Sequence, residues 1–495
     1  MPIQDWADVD ATTLALRVKK REVSPTELVE AAIKAIESVN PKLNGVVHKM
    51  YDKARAQAEQ APEGPFRGVP FVVKDLDGFL ANEPYTQSCR MSAQFVPDHD
   101  AEVIARMKRT GVVIVGKCNT PELGILGVTE PALRGPTRNP WNTDHTTGGS
   151  SGGTASMVAS RAVPFGHGGD GGGSIRIPSS ACGLFGMKTT RGRNPLGPDT
   201  GEAWGGYVQP GVLTRTVRDC AAILDATQGP EAGAPYQVLP PARPYVEEVR
   251  TPPRKLRVAF STASLYGKAT HPDCVAAVKD CAELLTSLGH DVVEASPALD
   301  MRALVAAYFT QVAVGVAGGI EETARWVKRA PTSADFQPTT WLLGQIGRKL
   351  GALELQRARD ACMTAGRVVA RFFEQHDVFL NATLAYPPSK IGELGLRAGE
   401  RIGLAILRTV SPKMLLDKVL ADLGANALER SPNTQLANQT GNPAMSVPLF
   451  WNSAGLPIGA QLMAPFGDEA TLFQLAAQLE AERPWVQKKP PICAT

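Results

Sequence analysis

The amino-acid sequence predicts an α/β fold. In the first half of the chain, short runs rich in β-branched side chains, such as residues 69–73 and 112–115, alternate with glycine-rich turns and helix-like stretches. After a proline-rich segment, the alternation returns as a strand, a helix and a strand over residues 256–260, 273–288 and 291–295. Strands that alternate with helices in this way are typical of α/β proteins.

The N-terminal segment, residues 1–60, is predicted to be helical and to pack on the core. Within it, Ser24 and Glu27 form the pattern of a capping box, and Pro25 stands at the first helical position. This pattern marks the start of a helix.

Two strands are predicted near the C-terminus, over residues 444–449 and 456–463, with a turn between them and a helix capped at Asp468 after them. We expect this segment to return into the main sheet.

The middle of the chain is predicted to contain a linker and a helical region. Seven prolines between residues 229 and 255 argue against regular structure, so this segment is expected to be a surface linker. Residues 302–375 are predicted to be largely helical, within a helical elaboration of about residues 300–430. The most apolar stretch, residues 303–320, contains three glycines and two polar residues, and a membrane span needs about 20 mostly apolar residues. We therefore interpret it as a core helix.

Composition and charge indicate small or neutral partners. The 495 residues carry a formal net charge of only +3, so no attraction to nucleic acid or to a membrane is implied. The eight cysteines show neither CxxC spacing nor a nearby histidine pattern, which favours reduced thiols over disulfides or a metal site. The N-terminus has no unbroken apolar core, so a cytoplasmic protein is the simplest interpretation.

Two segments rich in glycine and serine, residues 148–153 and 166–183, differ from the rest of the chain. A flexible linker would be longer and uniformly polar, whereas apolar residues follow here at once. A dinucleotide-binding oxidoreductase is an alternative, because Gly166, Gly168 and Gly171 satisfy GxGxxG. That fingerprint needs a helix that begins inside the motif and an acidic residue about 20 positions later, where this chain has Arg-Gly-Arg-Asn.

Acyl transfer is another interpretation of the same segment. Consecutive glycines before a serine let backbone N–H groups converge and bind an oxyanion; Gly171, Gly172, Gly173 and Ser174 would supply these donors. A serine becomes a nucleophile only when a neighbouring group takes its proton. His167 is the nearest histidine in sequence, but no GxSxG motif lies near it, so a Ser-His-Asp triad stays open without a local signal.

Five motifs in the first half of the chain, together with the closing segment GNPAMSVPLFWNSAGLPIGAQLMAP, resemble the amidase signature family. The five are GVPFVVKD around Lys74, GKCNTPELG, TRNPWN, GGSSGG around Ser150, and DGGGSIRIPSSACGLFGMKTTRGR from Asp170. The resemblance implies that Ser174 is the acylated nucleophile, that Ser150 relays protons and follows a cis peptide bond at Gly149, and that Lys74 is the base. Lys74 would act as a base if burial without a compensating charge kept it neutral.

The resemblance also implies supporting roles near the nucleophile. Ser151 is expected to support its loop, and Asp170 and Arg176 to brace the turn as a charge pair. Many relatives have threonines where this chain has Gly169 and Gly171. We therefore expect a looser loop or more room beside the acyl site.

For the whole chain, the resemblance implies a single α/β/α unit with a large mixed central sheet covered by helices, with residues 61–480 as the catalytic domain. The expected function is hydrolysis of a linear or cyclic amide, with a small-molecule substrate and no cofactor. TEPALRGPTRNPWN and RPWVQKKP are most similar to 6-aminohexanoate cyclic-dimer hydrolases, which open a cyclic amide.

A glutamine-hydrolysing amidotransferase subunit is the alternative that would need a partner, and a homodimer is also compatible with the sequence. Aromatic residues such as Trp204 and Tyr308 are interpreted as core.

Overall fold

The computed structural model describes residues 3, 5–266, 268–394 and 428–494. The strands in this part of the chain are β1 (Val46–Lys49), β2 (Pro70–Lys74), β3 (Val113–Cys118), β4 (Arg138–Asn139), β5 (Asn142–Thr146), β6 (Phe165–Asp170), β7 (Phe185–Lys188), β8 (Gln209–Thr214), β9 (Arg257–Phe260), β10 (Asp291–Glu294), β11 (Val378–Ala382), β12 (Ala444–Trp451) and β13 (Pro457–Met463).

The helices in the same residues are α1 (Ala11–Lys19), α2 (Pro25–Leu43), α3 (Tyr51–Ala58), α4 (Glu102–Arg109), α5 (Gly152–Ala159), α6 (Arg176–Cys182), α7 (Val217–Thr227), α8 (Tyr245–Glu248), α9 (Pro272–Ser287), α10 (Met301–Val327), α11 (Pro338–Lys349), α12 (Ala352–Gln375), α13 (Gln435–Thr440) and α14 (Glu469–Glu482).

One mixed sheet of eleven strands organises the molecule, in the order β1-β3-β2-β6-β8-β7-β12-β13-β11-β9-β10. The pairs β2/β3, β2/β6, β9/β10 and β9/β11 are parallel, and the other neighbours are antiparallel. Helices α5, α6, α7 and α9 pack against its strands. The predicted α/β fold, with a large mixed sheet covered by helices, is confirmed.

Two neighbouring parallel strands place Lys74 and the glycine-rich loop at the same edge of this sheet. Strand β2 is buried at every position, as expected for a parallel strand covered on both faces. It pairs with β6 through Val72 and Gly166. Strand β2 ends at Lys74 and β6 at Asp170. Because parallel strands end at the same edge, Lys74 lies beside the glycine-rich loop that follows Asp170.

The GGSSGG segment leads directly into helix α5, whose eight residues are all buried. The small residues allow close packing, since a Cβ on Gly153 would lie 2.6 Å from the carbonyl oxygen of Asn119. The segment is therefore a buried helix start rather than a flexible linker.

The N-terminal segment differs from the prediction for residues 1–60. The capping box is present, with Glu27 N donating to Ser24 Oγ at 3.2 Å. However, Val46–Lys49 form strand β1, which pairs with β3 at one margin of the sheet. The prediction of an entirely helical segment was wrong here, because a four-residue strand between two helices is too short to show a period of two.

The proline-rich segment also differs from its prediction. Residues 229–255 contain no strand, but Tyr245–Glu248 form the short helix α8, which Pro244 precedes without interrupting it. The N–H groups of Tyr245 and Val246 donate to Asp225. Leu239, by contrast, is 85% exposed. The segment is thus a surface connection over part of its length and is anchored at α8.

Helices α11 and α12 both pack on α10, and the three form the helical elaboration as far as residue 375. Residues 395–427, within the predicted range of 300–430, lie outside the described residues. Helix α10 is the one described helix that is long and apolar enough to cross a membrane, and more than half of its most apolar window is buried in the protein. Its residues Val316 and Ile320 share a core cluster with Leu343 of α11.

Candidate active site

Lys74 and Ser150 meet at the edge of the sheet where β2 ends. The Lys74 Nζ donates a hydrogen bond of 2.8 Å to Ser150 Oγ. The two residues are only 1% and 2% exposed, and the peptide bond between Gly149 and Ser150 is cis. The structure therefore brings together two side chains that are 76 positions apart in the chain.

A carboxylate accompanies Lys74, which the sequence interpretation did not anticipate. Asp77 Oδ2 lies 2.5 Å from Lys74 Nζ. The expectation that Lys74 is buried without a compensating charge was wrong. Lys74 and Asp77 form an ion pair beside Ser150, in which the Lys74 side chain is 1% exposed and the Asp77 side chain 13%.

Ser174 lies on the loop between β6 and α6, next to the Ser150 segment. The backbone N–H of Ser151 donates to the Ser174 carbonyl at 3.2 Å. The Ser174 hydroxyl makes no hydrogen bond to any residue that the structure describes, and Ser150 Oγ is bonded to Lys74 alone. The two serines are thus on adjoining backbone segments, without a direct bond between their hydroxyls.

The carbonyls of three consecutive loop residues are held by donors within the protein. Gly172 O accepts from Thr434 Oγ1 at 2.6 Å, Gly173 O from Ile177 N at 2.6 Å and Ser174 O from Ser151 N at 3.2 Å. In a trans peptide, a carbonyl and the following N–H point in opposite directions. Gly173 O accepts from the N–H of Ile177 in helix α6, so the Ser174 N–H points away from α6. Together with the N–H groups of Gly171 and Gly172, it donates to no other described residue.

Gly173 is an exception among the predicted oxyanion donors. Its N–H donates to Asp170 Oδ1 at 2.8 Å, so this group is occupied. The backbone at Gly173 has a φ of +123°, and a Cβ at this position would lie 2.7 Å from the Thr434 Cβ. Both features require glycine. Gly173 therefore shapes the loop, and the free donors are those of Gly171, Gly172 and Ser174.

Asp170 and Arg176 form a fully buried pair that braces this loop. The Arg176 guanidinium donates to both Asp170 oxygens at 2.9 Å. Burial raises the pKa of Asp170, but the charge of Arg176, with hydrogen bonds from Arg176 and Asn438, holds that pKa well below its usual range. Arg176 also donates to Thr434 O at 2.8 Å and Gln461 Oε1 at 2.7 Å. The pair therefore attaches the loop that carries Ser174 to the C-terminal part of the chain.

Ser151 supports the same loop from the other side. Its hydroxyl donates to Gly169 O and accepts from Gly169 N, both at 3.3 Å. Its N–H holds the Ser174 carbonyl, so Ser151 joins the start of α5 to the end of β6.

The room expected at Gly169 and Gly171 is filled, and at Gly169 a Cβ would lie 2.5 Å from the Asp77 Cγ. A Cβ on Gly171 would lie 2.9 Å from Val208 and 3.2 Å from Trp204. A Cβ on the adjacent Gly172 would collide with the Tyr308 hydroxyl group. The expectation of a more open acyl site was therefore wrong at Gly171, and Trp204 and Tyr308 form walls of this loop as well as core.

His167 lies inside β6 and is fully buried. Neither of its ring nitrogens has a hydrogen-bond partner, and burial lowers its pKa to about 3, so the ring is neutral at ordinary pH. No hydrogen bond joins it to Ser174 within the described residues. The alternative of a Ser-His-Asp triad through His167 therefore has no geometric support.

The GxGxxG segment does not have the arrangement of a dinucleotide site. Gly166 and Gly168 lie inside β6, and the next helix, α6, begins only at Arg176, whereas the fingerprint opens its helix within the motif. Among the described residues, no group of three or more His, Cys, Asp or Glu side chains could hold a metal ion.

Three residues of the site could not be found by sequence reasoning. Thr434 and Asn438, which contact the loop that carries Ser174, are about 260 positions away from it and belong to no motif. Asp77 is three residues after Lys74, and its position in the turn after a buried strand was the signal available.

Comparison with known proteins gives a consistent result. A family model described as "Amidase" matches residues 27–473. A 6-aminohexanoate-cyclic-dimer hydrolase from Pseudomonas sp. (strain NK87) is 37% identical over 97% of this chain and 96% of the relative. The structure of a 6-aminohexanoate cyclic dimer hydrolase complexed with substrate superposes with a TM-score of 0.88 and 35% identity, over 99% of this chain and 100% of that one. A bacterial aryl acylamidase of the amidase signature family superposes with a TM-score of 0.84 and 26% identity, covering 97% of each chain.

Proposed function

The chain belongs to the amidase family and is an amide hydrolase, and we propose that it cleaves its substrate through an acyl-enzyme on Ser174. Ser150 and Lys74 move the proton that this reaction requires. The observation that carries the proposal is the buried 2.8 Å hydrogen bond from Lys74 to Ser150, next to a loop whose serine hydroxyl has no hydrogen-bond partner in the part of the chain that the structure describes.

Acylation begins when Ser174 Oγ attacks the amide carbonyl. The bond from oxygen to carbon forms while the Ser174 proton passes to Ser150 Oγ, and the Ser150 proton passes to the neutral amine of Lys74. This relay needs the Ser174 hydroxyl to turn toward Ser150, and catalytic hydrogen bonds of this kind often tighten when substrate binds. The N–H groups of Gly171, Gly172 and Ser174 stabilise the oxyanion.

Collapse of the intermediate breaks the carbon–nitrogen bond. Ser150 gives its proton to the departing nitrogen and regains one from Lys74, so the amine leaves in neutral form. Water then attacks the acyl-enzyme, and the same relay takes its proton and returns one to Ser174. Atoms and protons balance over the cycle, and amide and water become an acid and an amine.

The proposed substrate is a small-molecule amide, and a cyclic amide is the first choice. The relative named 6-aminohexanoate-cyclic-dimer hydrolase is 37% identical to this chain over nearly the full length of both proteins. Identity at this level supports a related substrate class. We place the reaction in the cytoplasm, which suits the eight free cysteines of the chain.

A fluorophosphonate probe tests the nucleophile. We expect the probe to label Ser174 in the native protein, to abolish activity, and to leave Ser174→Ala unlabelled by peptide mass spectrometry. Ser180→Ala, which removes another buried serine hydroxyl nearby, is the control that should still be labelled. An adduct confined to a different serine would remove Ser174 from the mechanism.

A substrate panel tests the reaction class. The isolated chain should hydrolyse cyclic amides, anilides or primary amides other than glutamine. Activity restricted to glutamine, with ammonia passed to a co-purifying subunit, would instead support the amidotransferase alternative.

A further inference from the structure

Asp77 occupies an unusual position next to the proposed base. Its carboxylate contacts Lys74 Nζ at 2.5 Å, and its side chain is only 13% exposed. The backbone at Asp77 has a φ of +66°, in the left-handed region that aspartate tolerates better than most residues. This turn, directly after β2, folds the carboxylate back over the end of the strand.

The space for this carboxylate exists because residue 169 is glycine. A Cβ on Gly169 would lie 2.9 Å from the Asp77 Cβ and 2.5 Å from its Cγ, and closer still to Oδ2. Real Cβ atoms essentially never approach other atoms within 3.0 Å. Any side chain at position 169 would therefore displace Asp77 from its contact with Lys74.

The other ionisable groups around Lys74 and Asp77 are either neutral or paired with an opposite charge. Asp75 forms a buried ion pair of 2.6 Å with Lys117 and accepts hydrogen bonds from Thr86. On β6, burial keeps His167 neutral. Burial likewise raises the pKa of Tyr85 well above its ordinary value, so its phenol is neutral. Among the described residues facing Lys74, Asp77 is thus the carboxylate that acts on it directly.

We propose that Asp77 is a positioning residue for Lys74: seated in the space left by Gly169, its carboxylate directs the amine at Ser150. This inference rests on the proposed function. Loss of the contact should therefore impair the proton steps, which an amide needs more than an activated ester does.

Asp77→Asn tests the role of the carboxylate, because it removes the charge and keeps the shape. Because the amine is then held less firmly, kcat for an anilide should fall several-fold, while kcat for the matching nitrophenyl ester and KM should change less. The matched control is Asp100→Asn, a carboxylate of 17% exposure that pairs with Lys108 at 2.6 Å, and it should leave both kcat values unchanged.

Lys74→Ala separates the role of Asp77 from the proposed function. If Lys74→Ala lowers anilide turnover and Asp77→Asn does not, the role of Asp77 is wrong and the proposed function stands. If Lys74→Ala keeps full amide turnover, the proposed function itself is wrong.

Gly169→Ala tests the steric part without changing any charge. It should lower kcat for the anilide as Asp77→Asn does, while adding little in the double variant, because both changes remove one contact. Asp77→Ala removes the carboxylate but keeps a Cβ that would lie 2.9 Å from the new methyl group, so Gly169→Ala should still lower the melting temperature in that background, but by less. Additive effects of the two substitutions on kcat for the anilide would overturn the proposed coupling.

Discussion

The two serines of the site differ in what holds their hydroxyls. Ser150 is fixed by Lys74 at 2.8 Å, whereas Ser174 has its backbone anchored and its hydroxyl free. A fixed hydroxyl suits a proton relay, and a free one can turn toward a carbonyl. This contrast supports giving the covalent step to Ser174 and the proton steps to the buried pair.

Lys74→Ala should therefore affect substrates unequally. We expect turnover of amides to fall by about 100-fold or more, and turnover of activated esters to fall much less, because an ester's leaving group needs little protonation. Comparing kcat for an anilide and for the matching nitrophenyl ester measures the difference. Equal losses on both substrates would make Lys74 a structural residue.

The Asp170–Arg176 pair leads to a prediction about stability. Asp170→Asn should lower the free energy of unfolding by about 3 kcal/mol, because it leaves the buried Arg176 charge without its carboxylate. Urea denaturation followed by circular dichroism measures this loss. Asp98→Asn is the control, since the Asp98 side chain is 96% exposed, and the pair would be unimportant for stability if both variants unfolded alike.

For individual residues, the sequence predicts a role where a local pattern marks the residue. It gives no signal where the role depends on contacts with distant parts of the chain. Lys74 and Ser150 could be paired only through the family motifs, and the structure brings them together. The charge partner of Lys74 could not be foreseen, because whether a lysine is compensated depends on where the turn after β2 places Asp77. The occupied N–H of Gly173 was equally hidden, since it depends on the rotation of single peptide planes.

Among the helices and strands, those with caps or clear periodicity were predicted well. The strand, helix and strand after the linker were predicted at 256–260, 273–288 and 291–295 and lie at Arg257–Phe260, Pro272–Ser287 and Asp291–Glu294. The short elements β1 and α8 were missed. Each is short and its neighbours indicate another structure, helices on both sides of β1 and prolines around α8, so tertiary packing decides its conformation.

Helix α14 meets the start of α7 through a buried acid, and this contact should depend on pH. Glu480 accepts hydrogen bonds from Val217 N at 3.2 and 3.3 Å. Burial raises the pKa of Glu480 to about 8, and the carboxylates of Asp219 and Asp10 add to this effect. Because the folded pKa is raised above the unfolded value of about 4.3, the stabilisation is complete below that value and is lost as pH rises toward 8.

Glu480→Gln should accordingly unfold less readily than the parent at alkaline pH. An amide oxygen can still accept from Val217 and carries no charge, so we expect a gain of about 2 kcal/mol at pH 9 that shrinks toward pH 5. Urea titrations at pH 5, 7 and 9 measure the trend. Glu482→Gln, on the exposed face of the same helix, should change little throughout, and a gain independent of pH at Glu480 would contradict the prediction.

The whole molecule is built from two contiguous halves of one sheet. Six strands that precede the proline-rich segment lie side by side, followed by five strands from after it, and β7 and β12 form the junction. Arg176 strengthens this junction by binding Thr434 and Gln461. The predicted single unit is thus a sheet shared by both parts of the chain.

Cutting the connection should therefore not separate the halves. A specific protease site inserted after Leu239, which is 85% exposed, should be cleaved readily while the two fragments still elute together and keep hydrolysing amides. Size-exclusion chromatography under native conditions and activity assays on the nicked protein test this expectation. Recovery of two separately folded fragments would show two independent domains.

The Arg176 contacts also fix when the enzyme can first become active. During translation the ribosome releases the segment that carries Ser174 well before it releases Thr434, Asn438 and Gln461, the residues that anchor that segment. A nascent chain therefore carries Ser174 on an unanchored loop, and Arg176 has yet to meet most of its acceptors. Hydrolytic competence should appear only when the final strands have been synthesised and added to the sheet, so the unfinished chain is a latent enzyme.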